Sequence, residues 1–274
     1  MITPSNATVA GTCFRVLPVG LAVAVSLLLA SCDMGDCDDC GFDGTTVTVL
    51  VAYTSLAAQE SGDIDAYVEK AMGETNEVFD NSETNVRLSM AGSMEVVYSL
   101  EDRLTNLARL LDVSDGFLDE IPAERDRIEA DLVVLVTNQR TTTTNASIMA
   151  TPETAYVIIN RTDMGAPGYA LAHEIGHLFG ARHSIDADAS LVPFAYGHGF
   201  RDDSLRTVVA NGSTRTVLPY FSSPRVRRNG VVLGDSTTAD VARVVAESAV
   251  YISNFRGPQT PTDFVPSGTW PVLQ

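Results

Sequence analysis

Three of the four histidines in this chain fall within eleven residues, in a spacing that restricts the local fold. His173 and His177 stand four residues apart, so on a helix both imidazoles project from one face and can bind one ion. Glu174 is adjacent and can reach a water on that ion without ligating it. Gly180 permits the left-handed conformation that ends a helix, after which the chain can turn and bring His183 to the same ion. Three neutral imidazoles and one water form a four-coordinate zinc site with an open position, so the spacing predicts one catalytic Zn²⁺.

The composition excludes several classes of protein. The 274 residues carry 18 Lys and Arg against 35 Asp and Glu, a formal net charge of −17, whereas nucleic-acid binding needs clustered cations. Lys70 is the single lysine, which argues against a lysine-rich membrane or heparin surface. The hydrophobic content of 45% excludes intrinsic disorder, and four cysteines are too few for a disulfide framework. We therefore expect a globular chain with a sizeable core and no nucleic-acid partner.

The N-terminus predicts export. Arg15 precedes an apolar run, Val16–Ala30, which is short for a membrane span and typical of a signal peptide. The run ends in Leu29-Ala30-Ser31-Cys32, which resembles the bacterial lipobox, where the signal is cleaved before a cysteine that becomes lipidated. An ordinary signal peptide with a chance cysteine and a transmembrane anchor are the alternatives. We expect a lipoprotein signal peptide at 1–31. The exported protein is expected in the bacterial cell envelope, on its periplasmic or cell-surface face, where it is either anchored by lipid at Cys32 or released.

Three further segments follow the signal. Residues 32–45 are acidic and contain glycine, which indicates a solvated tether. Within it, Cys37 and Cys40 form a C-x-x-C pair, for which a local disulfide is favoured over a metal site in an exported chain. A thiol that inhibits by occupying the open zinc position is an alternative. Residues 46–256 form the main domain, and 257–274 are a proline-rich tail.

Apolar periodicity predicts a mixed sheet with helices packed on it, an α/β (α+β) fold class. Strands are expected at Thr46–Ala52, Asn85–Tyr98, Asp131–Val136 and Ala155–Asn160. Helices are expected from an N-cap at Asp63 to about Phe79, over Asp102–Leu111 and Phe117–Glu129, and at the histidines. A polar loop is expected at Thr141–Asn145, and a less regular C-terminal part follows the histidines.

The full spacing, H-E-x-x-H-x-x-G-x-x-H, resembles that of the metzincin zinc metallopeptidases. Other stretches resemble the bacterial reprolysin-like group, to which the peptidyl-Asp metalloendopeptidases are related, and they occur in the order found in that group. These stretches are Val49–Thr54, Glu74–Glu77, Asn81–Ser82, Ala130–Leu135, Tyr196–Phe200, Arg206–Asn211 and Pro219–Pro224. The resemblance covers about residues 46–256, nearly all of the exported domain.

This resemblance implies a metzincin-like zincin fold, with a twisted mixed five-stranded sheet, helices, an active-site helix and a small irregular C-terminal subdomain. It implies an extended peptide or protein substrate that pairs with an edge strand near Thr141–Asn145 and Ala146–Ala150. We expect contact with the membrane only through the lipid anchor, and a monomer is favoured.

The chain departs from the family pattern in two places, the turn beneath the metal and the position after the third histidine. The family places a methionine turn beneath the metal, in a stretch resembling R-T-[IV]-M-A-Y, where this chain has Val209 and Asn211. A second alignment puts the turn at Thr216–Tyr220, but Pro219–Ser222 already matches the stretch that follows the turn, so the first is preferred. Ser184 stands where the group often has aspartate. Valine fills an apolar site with less volume, so we expect looser support of the metal without loss of a ligand.

The remaining candidates are one histidine and a set of acids. His198 is expected to be structural, with a fourth metal ligand or a catalytic acid as the alternatives. The acids after the third histidine lack the spacing of a calcium loop and are expected to lie on the surface. They are Asp186, Asp188, Asp202 and Asp203.

The residues and the resemblance together predict a zinc-dependent endopeptidase that hydrolyses peptide bonds through a zinc-bound water, with Glu174 as the general base. One alternative is a catalytically weak or inactive metzincin-fold surface lipoprotein that binds peptide or protein. Another is a zinc hydrolase of non-peptide amides. The intact Glu174 favours an enzyme, because a purely structural zinc site has no need of that carboxylate. A preference for acidic cleavage sites follows only by analogy with the peptidyl-Asp enzymes.

Overall fold

The computed structural model describes most of the main domain and little of the two ends. The described residues are 42–98, 103–138, 145–164, 169–212 and 215–257. The predicted signal peptide, residues 32–41 of the tether with its cysteines, and all but the first residue of the tail lie outside them. From Asp43 onward, the described residues belong to one compact unit. None of the helices in the described ranges has the length and apolar character needed to cross a membrane.

A five-stranded mixed sheet forms the centre of the domain. Its strands are β1 (Thr45–Thr54), β2 (Val86–Val96), β3 (Leu132–Thr137), β4 (Asn145–Ala146) and β5 (Tyr156–Asn160). They lie in the order β2-β1-β3-β5-β4, with β4 antiparallel to β5 and every other pair parallel. The predicted five-stranded mixed sheet is confirmed. The short β4 was not predicted, because two residues at the end of a polar loop show no periodicity.

The central strands are apolar on both faces because both faces of the sheet are covered. Successive side chains of a strand point to opposite faces, so Val49 and Val51 lie in one core and Leu50 and Ala52 in the other. All six residues of β3 are buried in the same way. Such continuous apolar runs are typical of buried parallel strands.

Helices pack on both sides of this sheet. They are α1 (Ser55–Ser61), α2 (Ile64–Asn81), α3 (Arg103–Leu111), α4 (Glu120–Arg127), α5 (Arg161–Met164), α6 (Ala170–Phe179) and α7 (Val241–Ile252). The helices α2, α6 and α7 fill the larger core, whereas α3 and α4 cover the opposite face. Asp63 caps α2 as predicted and accepts a bond from the Ala66 N–H at 3.1 Å. The helix α4 is shorter than predicted, since Gly116 and Leu118 both have positive φ.

The C-terminal part is less regular, as expected. After α6 come β6 (Leu205–Arg206), β7 (Thr216–Val217), β8 (Ser223–Arg228) and β9 (Val231–Leu233), which form two small two-stranded sheets. The last helix, α7, returns to α6, where the Ser248 hydroxyl donates to the Phe179 carbonyl at 2.9 Å. The helix α6 therefore packs against the sheet and α7, and apolar residues of the segment 180–240 pack in the same core.

Candidate metal centre

The helix that carries the first two histidines, α6, ends in a sharp reversal. Gly180 has a left-handed φ of 105°, and its N–H donates to the His177 carbonyl, while the Ala181 N–H donates to the Gly176 carbonyl. These two bonds form a Schellman cap, which satisfies the last helical carbonyls and turns the chain back. The glycine of the motif ends the helix as predicted, and His183 follows the reversal directly.

The three histidine side chains converge on one point. The Nε2 atoms of His173 and His177 are 3.1 Å apart, those of His177 and His183 are 3.2 Å apart, and those of His183 and His173 are 3.3 Å apart. Imidazole nitrogens on a tetrahedral Zn²⁺ would lie about 3.3 Å from one another, given Zn–N bonds of about 2.05 Å. Within the described ranges, these three residues are the one group of His, Cys, Asp or Glu side chains able to hold a metal.

The outer nitrogens of two rings are held by main-chain carbonyls. The Nδ1 of His173 donates to the Val208 carbonyl at 2.9 Å, and the Nδ1 of His177 donates to the Ala181 carbonyl at 2.8 Å. Each bond leaves the lone pair on Nε2, where it faces the other two rings. Burial lowers the pKa of His173 to about 4 and that of His177 to about 3, and burial also lowers the pKa of His183. Neutral nitrogens this close repel one another unless a cation lies between them, so the donor set fits Zn²⁺.

The glutamate predicted to act on water lies on the helix that carries the first two ligands. Glu174 follows His173 directly on α6 and is only 7% exposed. Glutamate is rarely buried without a functional or structural reason. The structure therefore places one carboxylate and three neutral imidazoles along one short stretch of helix and the turn after it.

Val209 forms the floor beneath the metal ligands. It is fully buried and lies so close to the helix that its Cγ2 would be 2.8 Å from a Cβ at Gly176. This contact supports the preferred alignment, in which Val209 takes the place of the methionine. In the other alignment the turn would begin at Thr216, which is exposed in β7. Asn211, the other substituted residue of this turn, has its carbonyl bound by the Arg201 Nη1 at 2.7 Å.

One residue beside the metal ligands was not assigned a role from the sequence. Arg206 donates through Nη1 to the carbonyls of Val208, at 3.2 Å, and Ala210, at 2.7 Å. Its Nε donates to the Gly212 carbonyl at 3.1 Å. Because the Val208 carbonyl also accepts from His173, Arg206 holds the turn that orients the first ligand. The acceptors are main-chain atoms, so no side-chain pattern could have indicated them.

His198 supports the third ligand through the backbone. It is fully buried, and its Nδ1 donates to the His183 carbonyl at 2.9 Å. The backbone on either side is paired as well, since the Arg182 N–H donates to the Gly197 carbonyl at 2.8 Å and the Gly199 N–H to the Arg182 carbonyl at 2.9 Å. His198 therefore has the place of a structural residue and lies outside the group of metal-binding side chains.

The acids after the third histidine are engaged in ion pairs and turns. Asp186 forms an ion pair with Arg201, and Asp188 forms one with Arg182. Asp202 accepts from the N–H groups of Ser204 and Leu205. Asp203 is exposed. These contacts fit the expectation of surface acids. Ser184, where the related group often has aspartate, is buried, and its carbonyl accepts from the N–H groups of Ala187 and Asp188.

The sequence is similar to known bacterial peptidases. The reprolysin model of metallo-peptidase family M12 matches residues 43–227. The peptidyl-Asp metalloendopeptidase of Stenotrophomonas maltophilia strain K279a is 36% identical over 221 residues, which cover 77% of this chain and 53% of that protein. The peptidyl-Asp metalloendopeptidase of Xanthomonas campestris pv. campestris is 36% identical over 219 residues, 77% of this chain and 52% of that protein. The chain thus spans about half the length of the curated relatives it matches.

The fold is also found in a solved structure described as a chaperone–substrate complex. One of its chains superposes with a TM-score of 0.64 at 20% identity, over 78% of this chain and 36% of that chain. This likeness concerns the fold alone. The family model covers more than half of the sequence and includes the three histidines and the turn beneath them. The chain therefore belongs to the reprolysin-like metallopeptidases of family M12.

Proposed function

We propose that this protein is a zinc-dependent endopeptidase that uses Glu174 as its general base. The observation that carries the proposal is the convergence of three neutral Nε2 atoms, 3.1 Å to 3.3 Å apart, on a helix that also carries the buried Glu174 and on the turn after it. His173, His177 and His183 would hold a Zn²⁺, which would supply Lewis acidity toward the scissile carbonyl and the attacking water.

Glu174 moves the proton in this proposal. Its carboxylate accepts a proton from the water as the water attacks the scissile carbonyl carbon, and it then gives that proton to the leaving amine. One carboxylate can serve both steps, because Glu174 follows the ligand His173 directly on α6 and is buried. The carbonyls of Val208 and Ala181 keep the imidazoles oriented during these steps.

The edge of the sheet supplies a place for an extended substrate. The strand β4 (Asn145–Ala146) pairs with β5 on one side only, among the residues that the structure describes. Directly after it, the N–H groups of Met149 and Ala150 donate to the His177 and Leu178 carbonyls at 2.7 Å and 2.8 Å. The edge strand is therefore joined to the helix that carries the ligands. A peptide that adds a strand beside β4 would be led across the metal centre.

The relatives support a more specific substrate. Those matched across most of the chain are named peptidyl-Asp metalloendopeptidases. We therefore propose that the bond cleaved by this protein lies next to an aspartate. Digestion of a peptide library, followed by mass spectrometry of the products, would show the preferred residues on either side of the cleaved bond.

The test of the catalytic assignment is Glu174→Gln, which keeps the shape of the side chain and removes its basicity. We expect kcat/KM to fall by about 10³-fold, within the usual range for general-base catalysis, with one zinc still bound per chain. Glu60→Gln, on the exposed side of α1, is the control and should keep full activity. Wild-type turnover by Glu174→Gln would refute the assignment. A folded, zinc-loaded wild type that cleaves no library peptide would instead support the peptide-binding alternative.

We also propose export with lipid attachment at Cys32, which rests on the lipobox-like end of the N-terminal apolar run. The full chain, expressed in a bacterium fed an alkyne-tagged fatty acid, should become labelled and sediment with membranes. Cys32→Ala should lose the label and Cys37→Ala should keep it. Equal labelling of these two variants would overturn the assignment.

A further inference from the structure

Four arginines lie between the end of α6 and the end of β7, and the first two are paired with acids. The Arg182 Nε lies 2.9 Å from an Asp188 oxygen, and the guanidinium of Arg201 bonds the Asp186 carboxylate. Each of these two guanidinium groups is therefore already paired with a carboxylate of this chain. Their ion pairs hold the loop after His183 in place.

The third arginine, Arg206, is used by the turn beneath the metal. Its Nε and Nη1 donate to three carbonyls, those of Val208, Ala210 and Gly212. This side chain is partly buried, and the desolvation lowers its pKa. It therefore acts as a structural clamp whose donors are largely occupied.

The fourth arginine, Arg215, has a different set of contacts. Its Nε donates to the Asp202 carbonyl oxygen, and its charge contributes to lowering the pKa of the Asp202 carboxyl group, but among the described residues no carboxylate lies within ion-pair distance of its guanidinium. The Asp202 carboxylate is itself engaged by the N–H groups of Ser204 and Leu205. Both terminal nitrogens of Arg215 are thus left for an acceptor outside the described residues, in a chain whose net charge is −17.

The backbone shapes the space for this side chain. Gly212 has a φ of 136°, and a Cβ at that position would lie 2.8 Å from the Arg215 Nη1 and 3.1 Å from its Cδ. Glycine adopts this φ without strain, and its lack of a Cβ leaves room for the guanidinium stem. Arg206 binds the carbonyl of Gly212 and also that of Val208, which orients His173. The segment that carries Arg215 is therefore linked to the first metal ligand through the Arg206 side chain.

We propose that Arg215 is a specificity-determining residue, whose terminal guanidinium nitrogens bind the carboxylate of an acidic substrate residue next to the scissile bond. This inference rests on the proposed endopeptidase function. A planar guanidinium binds a carboxylate through two parallel N–H···O bonds, which lysine cannot reproduce. A local cation is also needed, because the overall charge of −17 repels an acidic peptide.

The experiment compares two peptides that differ only in Asp or Asn beside the scissile bond. For the wild-type protein we expect kcat/KM to favour the Asp peptide by at least about 10-fold, the scale of a charge-assisted hydrogen bond. In Arg215→Gln the ratio should fall to near one while the Asn peptide is cleaved as before. Arg215→Lys should give an intermediate ratio, and raising the salt concentration should lower the wild-type ratio.

Two controls keep folding and turnover separate from specificity. Arg227→Gln, at an exposed position of β8, should keep the wild-type ratio, and circular dichroism should show equal thermal unfolding of the Arg215 variants and the wild type. Equilibrium binding of the two peptides to zinc-loaded Glu174→Gln protein, followed by fluorescence anisotropy, measures recognition without hydrolysis. The same preference for Asp should be present there and lost when Arg215→Gln is added.

The outcomes distinguish the two proposals. If the wild type cleaves neither peptide but the Glu174→Gln protein still binds Asp over Asn through Arg215, the endopeptidase proposal fails and the Arg215 assignment stands. If the wild type cleaves both peptides equally, or if Arg215→Gln keeps the preference for Asp, the Arg215 assignment is overturned and the endopeptidase proposal is unaffected.

Discussion

The contact between Gly176 and Val209 can be tested by adding one methyl group to the helix. In Gly176→Ala the new Cβ would meet the Val209 Cγ2 at 2.8 Å and the Phe221 Cε1 at 3.2 Å. Carbon atoms in van der Waals contact are about 3.5 Å to 4.0 Å apart, so the buried valine or the helix must move by more than half an ångström. Overpacking of this kind costs about 1–3 kcal/mol.

The same substitution also has a favourable term, so the net effect has to be measured against a control. Alanine is favoured over glycine in a helix interior by about 1 kcal/mol. Gly73→Ala provides that term alone, since a Cβ at exposed Gly73 in α2 would meet nothing within 4 Å. We expect Gly73→Ala to stabilise the fold and Gly176→Ala to destabilise it, with a difference of about 1–3 kcal/mol in the free energy of urea unfolding.

A double-mutant cycle identifies the clashing partner. Val209→Ala removes the Cγ2 atom and leaves a cavity, which by itself costs about 1–2 kcal/mol. In the double variant the alanine methyl at 176 can enter that space, so the two losses should not add, and the coupling should reach about 1 kcal/mol. Metal-free protein is used, so that zinc binding does not enter the comparison. If Gly176→Ala proved as stabilising as Gly73→Ala, or if the two changes were additive, the packing argument would be wrong.

Two further predictions concern the third ligand and the response to acid. His198→Asn places an amide N–H near the position of Nδ1 and should largely keep the zinc affinity measured by chelator competition. His198→Leu leaves the His183 carbonyl unpaired and should lower the zinc affinity by about 10-fold or more. Equal affinities of the two variants would refute the supporting role of His198. Burial raises the pKa of Asp235, but bonds from Thr237 and Thr238 outweigh it and lower the pKa to about 2. The stabilising effect of the Asp235 carboxylate should therefore be complete above about pH 4 and be lost as the pH falls towards 2. In urea titrations, the difference in unfolding free energy between the wild type and Asp235→Ala should shrink over that pH range. A constant difference would contradict the prediction.

The sequence predicted those parts of the domain whose signal is local. The helix α2 follows from Asp63 and a regular apolar spacing, and β3 follows from six consecutive apolar or β-branched residues. The metal ligands could be predicted because helix periodicity and one glycine determine where their side chains go. In each case the residues that carry the information lie within one or two turns of the feature itself.

The parts that could not be predicted depend on main-chain atoms and on distant contacts. The carbonyls of Val208 and Ala181 orient two ligands, yet any residue type has a carbonyl in those positions. Gly176 occupies a variable position of the motif, and its importance comes from Val209, 33 positions later, which packs against it. The two residues of β4 form a strand only because β5 lies beside them. Such features follow from the assembled fold and have no counterpart in local periodicity.

The same reasoning shows why the third ligand depends on the whole C-terminal part. His183 lies beyond the helix, and its carbonyl is held by His198. The His198 backbone is fixed in turn, since its N–H donates to the Thr238 carbonyl and its carbonyl accepts from the Ser222 hydroxyl. That hydroxyl also accepts from the N–H of Val241, the first residue of α7. A helix alone can present two imidazoles, but the position of the third depends on contacts with residues more than fifty positions later in the chain, Thr238 and Val241.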